Sequence, residues 1–144
     1  MIKSFGADDV INYKDEKELN KNSSKFDFII NTLPIGDNFD AFLNLAAPKG
    51  VFVQVGLPDA GMNLHVAPTT LILKEITLVG SLIGSRKNIT EMLDLCVKHD
   101  IYPVCEEFPF EDFPQALDKL ENGRPKFRCV VNVHEYSKRN NLFK

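Results

Sequence analysis

The chain has 144 residues, of which 44% are apolar and 26% charged, and it carries a net charge of −3. That balance excludes a disordered tail, and with a pI near 5.6 it leaves no basic footprint for nucleic acid. No apolar run reaches the roughly 18–20 residues needed to span a bilayer, and the first residues show no signal-peptide pattern.

One compact unit able to bury a sizeable core is the expectation at this length. Cys96, Cys105 and Cys129 are odd in number, widely spaced and without a C-x-x-C pair. Reduced, buried thiols in a cytoplasmic chain account for them most simply.

Met1 to Phe5 reads as the last turn of a helix, with Lys3 in that turn and Gly6 as its stop. Asp9–Tyr13 follows as a short strand, and the polar stretch Lys14–Lys25 as an exposed helix or loop. Phe26–Leu33 has a near-continuous apolar centre, the pattern of a strand covered on both faces. Pro34 and Gly36 stop it, and Asp37 or Asn38 can cap the next helix. That helix buries Phe39, Phe42, Leu43 and Ala46 at i, i+3, i+4, i+7 and ends at Pro48-Lys49-Gly50.

Val51–Val55 is a second buried strand, stopped by Gly56-Leu57-Pro58. A surface excursion through Asn63 and His65 leads to one or two helical turns over Pro68–Lys74. Ile76–Ile83 is a third β segment, whose Gly80 suggests the close approach of another backbone or a ligand. Strands joined by such crossovers form a parallel sheet, not a meander.

After Gly84, Asn88-Ile-Thr-Glu91 has the form of a capping box, and Ile89, Met92, Leu93, Cys96 and Val97 make a buried helical stripe. Ile101–Phe108 is a strand that Pro103 restricts to an edge or a start. Asp112 opens a helix with Pro114 in its first turn, lined by Phe113, Ala116, Leu117 and Leu120 and ended by Asn122-Gly123. Phe127–Val133 is the last strand, and Tyr136–Lys144 a polar, frayed tail.

The phosphate-cradling G-x-G-x-x-G that should open a dinucleotide-binding sheet does not occur. The expectation is therefore the back half of something larger.

Five segments come in a recognisable order: Gly6-Ala-Asp-Asp-Val-Ile-Asn12, Asp27-Phe-Ile-Ile-Asn-Thr-Leu-Pro34, Gly50-Val-Phe-Val-Gln-Val-Gly56, Leu78-Val-Gly-Ser-Leu-Ile-Gly-Ser85 and Arg128-Cys-Val-Val-Asn-Val133. Together they resemble the C-terminal half of zinc-type, medium-chain alcohol dehydrogenases, in their cinnamyl-alcohol-dehydrogenase-like, NADP-preferring branch. The resemblance implies an α/β fold: the C-terminal strands of a Rossmann-like parallel sheet, followed by C-terminal helices and strands of the substrate domain. Residues 1–85 would be the remainder of the dinucleotide-binding domain. Residues 86–144 would pack back toward the substrate domain.

The resemblance also implies a function, hydride transfer between an alcohol and NADP (or NAD) in the complete protein. Catalytic zinc, structural zinc and the proton relay belong to the absent N-terminal half, so this chain alone is expected to be inactive. It has no catalytic and no metal-binding residue to offer: His65, His99 and His134 are scattered, and the cysteines lack structural-zinc spacing.

What the resemblance leaves is a partial cofactor site at the strand ends. Thr32 lies where the family lines the ribose, although a threonine capping the turn explains it equally. Asn31 replaces the aspartate usual beside it. Val55, Gly56 and Leu57 correspond to backbone beside the nicotinamide, Gly56 permitting close approach, with a plain strand-ending glycine as the alternative. Ser81, Leu82 and Ile83 match the segment that meets the carboxamide. Arg128 aligns with a pyrophosphate contact or is a solvated surface arginine.

The family's dimer edge corresponds to Ile76–Ile83, which makes a homodimer the expected partner state, with neither nucleic acid nor membrane involved. The competing expectation is a non-catalytic α/β interaction module that keeps only this dimerising edge.

Overall fold

The computed structural model describes residues 2–34, 38–57, 63–123 and 125–141. The expectations at Gly36, Asp37 and Pro58 and the last three residues of the tail lie outside these. The chain divides into two units, Met1–Ile83 and Gly84–Lys144, each with its own small parallel sheet.

In the first unit a 3-10 turn over Ile2–Phe5 ends at Gly6, whose φ of +91° only glycine adopts readily. The strand expected over Asp9–Tyr13 does not form. The side chains there take over the backbone bonds that a ladder would use: Asn12 N–H donates to Glu18 Oε2 at 2.7 Å and Lys14 N–H to Asn12 Oδ1 at 3.1 Å. Helix α1 (Glu16–Lys21) follows, with the Asp15 carboxylate accepting from the N–H groups of Lys17 and Glu18.

Strands β1 (Phe26–Asn31), β2 (Ala46–Gln54) and β3 (Thr77–Gly80) lie in the order β1-β2-β3, all parallel, as the alternation of apolar strands and helices implied. Helix α2 (Phe39–Leu43) is shorter than its apolar spacing suggested, and Ala46 belongs to β2 instead. Two effects end it: the Lys25 and Phe26 N–H groups at the entry to β1 take the Leu45 carbonyl, and Pro48 has no N–H to give the Asn44 carbonyl. That carbonyl accepts instead from Ser24 N–H at 2.9 Å and from Lys74 Nζ at 2.7 Å. Pro48, Lys49 and Gly50 therefore sit inside β2, where the register against β1 shifts and Lys49 takes φ 66°. A Cβ on Gly50 would lie 2.8 Å from the Ala47 carbonyl oxygen, so this irregularity requires glycine.

One face of the sheet carries the core. Phe39, Leu43, Ala46, Phe52 and Ile76 are buried, with Ile29, Phe42, Leu64, Val66, Leu71 and Leu78 packed around them. Phe39 meets Phe52 edge-on, centroids 5.1 Å apart. Leu64 and Val66 bring the excursion beyond β2 onto this core, and Ala67 N–H donates to Asp40 Oδ1 at 2.8 Å. Helix α3 (Pro68–Lys74) follows as expected, with proline in its first turn. The other face is not covered as the apolar run of β1 led one to expect: Phe28 is 59% and Ile30 58% exposed.

In the second unit, helix α4 (Arg86–Lys98) starts one turn before the expected box. Ser85 is the cap, its Oγ accepting from Asn88 N–H while Asn88 Oδ1 accepts from Ser85 N–H. Asn88 thus closes the box instead of opening it. Of the expected stripe, Ile89, Met92, Leu93 and Val97 are exposed, contrary to expectation, and Cys96 is half-buried.

Strands β4 (Glu106–Pro109) and β5 (Cys129–Asn132) pair in parallel, with residues 101–105 outside the ladder. A 3-10 turn over Phe110–Asp112 leads into helix α5 (Phe113–Glu121), and the Asp112 side chain makes no cap bond. Ala116 is buried, but Phe113, Leu117 and Leu120 stay exposed. Gly123, at φ +63°, follows the helix. The expected frayed tail instead contains helix α6 (His134–Arg139), pinned by Tyr136 against Phe110 and by Arg139 Nη2 on Glu111 at 2.9 Å.

Glu106 binds α5 to its sheet. Its carboxylate accepts from Lys119 Nζ and from the Lys126 N–H. The Lys119 bond first, and the Lys126 N–H second, hold this carboxyl below the usual glutamate range.

Two outcomes follow. Phe52→Ala, at a site with no exposure, should cost about 3–5 kcal/mol in denaturant unfolding, whereas Phe28→Ala should stay within about 1 kcal/mol. For Glu106, a lowered folded pKa means stability that is full above the unfolded value and lost as pH falls through the folded one. Glu106→Gln should therefore destabilise the second unit at pH 7 and flatten its acid-unfolding profile, as followed by circular dichroism.

Candidate site at the carboxyl edge of the first sheet

Because β1, β2 and β3 are parallel, their carboxyl ends share one edge. Asn31 pairs with Gln54, and Gln54 with Gly80. The next residues of each strand are those singled out from the sequence: Thr32; Val55, Gly56 and Leu57; and Ser81, Leu82 and Ile83. The fold thus brings seven of the eight expected residues to one edge. Arg128 is in the second unit, immediately before β5; its carbonyl accepts from Glu106 N–H at 2.8 Å and its side chain is exposed.

Exposure at the edge is high. Leu82 is 89% and Ile83 90% exposed, and Thr32, Val55, Leu57 and Ser81 are also open to solvent. Gly56 is explained by its own chain, because a Cβ there would lie 2.4 Å from the Leu33 carbonyl oxygen and 2.7 Å from the Thr32 carbonyl carbon. The absent side chain lets β1 and β2 exits touch. At Gly80, among the described residues nothing comes within 4 Å of where its Cβ would stand, so no backbone of this chain makes the close approach.

The residue that sequence reasoning missed is Gln54. Its Oε1 accepts from Asn31 Nδ2 at 2.7 Å, while its Nε2 donates to the Gly56 carbonyl at 2.6 Å and to the Leu33 carbonyl at 3.3 Å. Asn31 Oδ1 accepts from Leu33 N–H at 3.2 Å, and the Asn31 carbonyl accepts from the N–H groups of Val55 and Gly56 at 2.9 and 3.1 Å. The asparagine in place of aspartate now has a reason: an amide gives a donor to Gln54 that a carboxylate lacks. The available signal was a lone polar residue interrupting Val51-Phe-Val-Gln-Val55.

The edge offers backbone groups, hydroxyls and apolar side chains, and no group with displaced protonation. The described groups with displaced protonation are Asp9, Lys74 and Glu106, and none is among its residues. Burial pushes Lys74 down at the opposite, amino end of β2, where its Nζ meets the Asn44 and Ala46 carbonyls. Among the described residues no group of three or more His, Cys, Asp or Glu side chains is placed to hold a metal ion. An open cavity of about 440 Å³ beside α1 and α2, lined in part by Tyr13, Lys14, Asn38 and Asn44, lies away from the edge.

The sequence model of the zinc-binding dehydrogenases matches residues 1–98. The chain belongs to this family. Its members are oxidoreductases of the medium-chain alcohol dehydrogenase type. An aldehyde reductase of Escherichia coli is 33% identical over 132 residues, covering 90% of this chain and 37% of the relative. One from Synechocystis is 30% identical over 131 residues, covering 91% and 38%.

Among solved structures, a cinnamyl alcohol dehydrogenase of Sorghum bicolor superposes with a TM-score of 0.82 at 25% identity, over 92% of this chain and 37% of that one. The enzyme from Helicobacter pylori, complexed with NADP(H), gives 0.64 at 32% identity over 78% and 33%. The chain therefore spans a little over a third of the length of the relatives it matches, and its fold corresponds to the C-terminal part of the Rossmann-type alcohol dehydrogenase fold.

Proposed function

We propose that the carboxyl edge of β1–β3 is the nicotinamide-side wall of an NADP(H) site, in an alcohol dehydrogenase that interconverts an alcohol and its aldehyde. The observation that carries this reading is the convergence of Thr32, Val55–Leu57 and Ser81–Ile83 on one edge of a parallel sheet, where open α/β folds bind ligands. The NADP(H)-bound relative of Helicobacter pylori supports the choice of cofactor.

When bound, the cofactor accepts or gives the hydride. The chain's own residues orient its ring. Exposed Leu57, Leu82 and Ile83 offer apolar contact, and the backbone of Ser81–Ile83 offers amide groups to the carboxamide. Thr32 takes the ribose side. Zinc has no site among the described residues, and no described side chain at this edge can serve as acid or base. Unpaired Cys96, Cys105 and Cys129 suit the reducing cytoplasm, and no described helix is long and apolar enough to cross a membrane.

Titration with NADPH, followed by ligand fluorescence and by amide signals in NMR, tests the site. Saturable binding that perturbs Val55–Leu57 and Ser81–Ile83 is expected; saturation that leaves these amides unmoved would refute the reading. The pure chain should not oxidise NADPH with aromatic or aliphatic aldehydes and should hold no stoichiometric zinc by elemental analysis. Zinc-dependent turnover would show that the chemistry is present after all.

A second reading concerns assembly. Among the described residues β3 is an edge strand, hydrogen-bonded to β2 alone, and an unpaired edge is a template for a twin strand. We propose a homodimer through Ile76–Ile83, which a non-catalytic interaction module would also form.

Ser81 N–H donates to the Gln54 carbonyl at 3.0 Å, so by alternation the N–H groups of Thr77 and Val79 face β2 and that of Gly80 faces away. Gly80→Pro thus removes an outward donor without breaking the internal ladder. Light scattering at tens of micromolar should find a dimer for wild type and a monomer for this variant, both folded. A monomeric wild type, or an equally dimeric variant, would end the strand-pairing idea.

A further inference from the structure

We propose that Gln54, acting with Asn31, is a positioning residue for the cofactor: it sets the relative height of the β1 and β2 exits against which the nicotinamide lies. The inference rests on the cofactor reading above and goes beyond it by naming the group that shapes the wall.

The geometry is specific to Gln54. Its side chain reaches two exits at once, donating from Nε2 to Leu33 beyond β1 and to Gly56 beyond β2. The β3 exit is held separately, by the main-chain bond from Ser81 N–H to the Gln54 carbonyl at 3.0 Å that any residue there would accept. Asn31 fixes which end of the Gln54 amide faces which partner, because Asn31 Nδ2 donates to Oε1 and leaves Nε2 toward the two carbonyls. Asn31 is itself buried and also accepts from Leu33 N–H.

A network in which each polar group is paired holds one arrangement, and one missing donor leaves carbonyls facing one another. The contact between Gly56 and the Thr32–Leu33 backbone has no slack, so a change in this spacing moves both exits. Both partners are neutral amides, hence the wall carries no charge from this pair at any physiological pH.

The chemistry of the donor gives a test that simple loss of packing would not reproduce. In Gln54→Glu the ionised side chain can only accept, so the Leu33 and Gly56 carbonyls lose their donor and face a negative charge. Protonation restores one O–H donor. The repulsion among these oxygens raises the carboxyl pKa, which brings the switch into the measurable range.

Binding of NADP+ to the full chain is measured by calorimetry from pH 5 to pH 8 for wild type, Gln54→Leu and Gln54→Glu, with circular dichroism confirming the fold at each pH. Gln54→Leu should bind roughly tenfold more weakly at every pH. Gln54→Glu should be equally impaired at pH 8 and approach wild type at pH 5, the ratio to wild type removing any titration of the nucleotide itself.

Equal affinity of wild type and Gln54→Leu would overturn the proposal while leaving the cofactor reading intact. A Gln54→Glu ratio that does not change with pH would do the same, and it decides the matter if Gln54→Leu fails to fold. Absence of saturable NADP+ binding to wild type would remove the cofactor reading and this proposal with it.

Discussion

Phe52 lies fully buried in the central strand of the first sheet, and the edge-on contact of Phe39 against it holds α2 to that sheet. The rest of the unit is arranged around this contact. Leu43 and Ala46 close beside the two rings, Ile76 enters from the start of β3, and Leu64 and Val66 from the chain leading to α3. An aromatic pair of this geometry contributes about 0.5–1.5 kcal/mol beyond its buried area. Its position matters more than its size, because β2 is the strand to which both others pair. Pro48 and Gly50 serve the same end: the proline helps to stop α2 after five residues, and the glycine lets the strand bend past Ala47 and Phe26.

The strand that organises the core also organises the candidate site. Phe52 and Gln54 are two residues apart and so share a face of β2. The first anchors the sheet from within and the second joins the β1 and β2 exits. The backbone positions at the strand exits are therefore set by the same element that carries the hydrophobic stabilisation.

Much apolar surface remains open. Phe28 and Ile30 on the second face of the sheet, and Ile89, Met92, Leu93 and Val97 along α4, are exposed. Parallel sheets are normally covered on both faces, and an amphipathic stripe normally meets a partner. These residues have the sequence character of covered positions. The matched relatives are more than twice as long as this chain, and one of them alone is enough to show that the family's fold includes far more polypeptide than these two units.

The sequence by itself determined the element types and their order. Apolar β-rich runs alternating with helical spacing placed β1, β2, β3 and the whole of α3, and short motifs in register indicated the dehydrogenase family and the strand-end residues. Where it misled, a longer-range effect prevailed. Ala46 matched a helical face, but Pro48 denied the helix its next hydrogen bond and β1 captured the free carbonyls. Asp9–Tyr13 matched a strand but has no neighbour among the described residues to pair with. The polar tail from Tyr136 looked frayed because its anchors, Phe110 and Glu111, are distant in sequence.

The buried face of Phe39 and Leu43 was legible in their spacing, whereas tertiary structure alone decided that Phe28, Ile30 and the α4 stripe stay open and that Gln54 joins a hydrogen-bond network. A glutamine in a strand specifies nothing locally. It becomes a tie between the β1 and β2 exits only when parallel pairing sets it opposite Asn31 and within reach of Leu33 and Gly56. Periodicity is a property of neighbours in sequence, whereas a hydrogen-bond network across strand ends is a property of register.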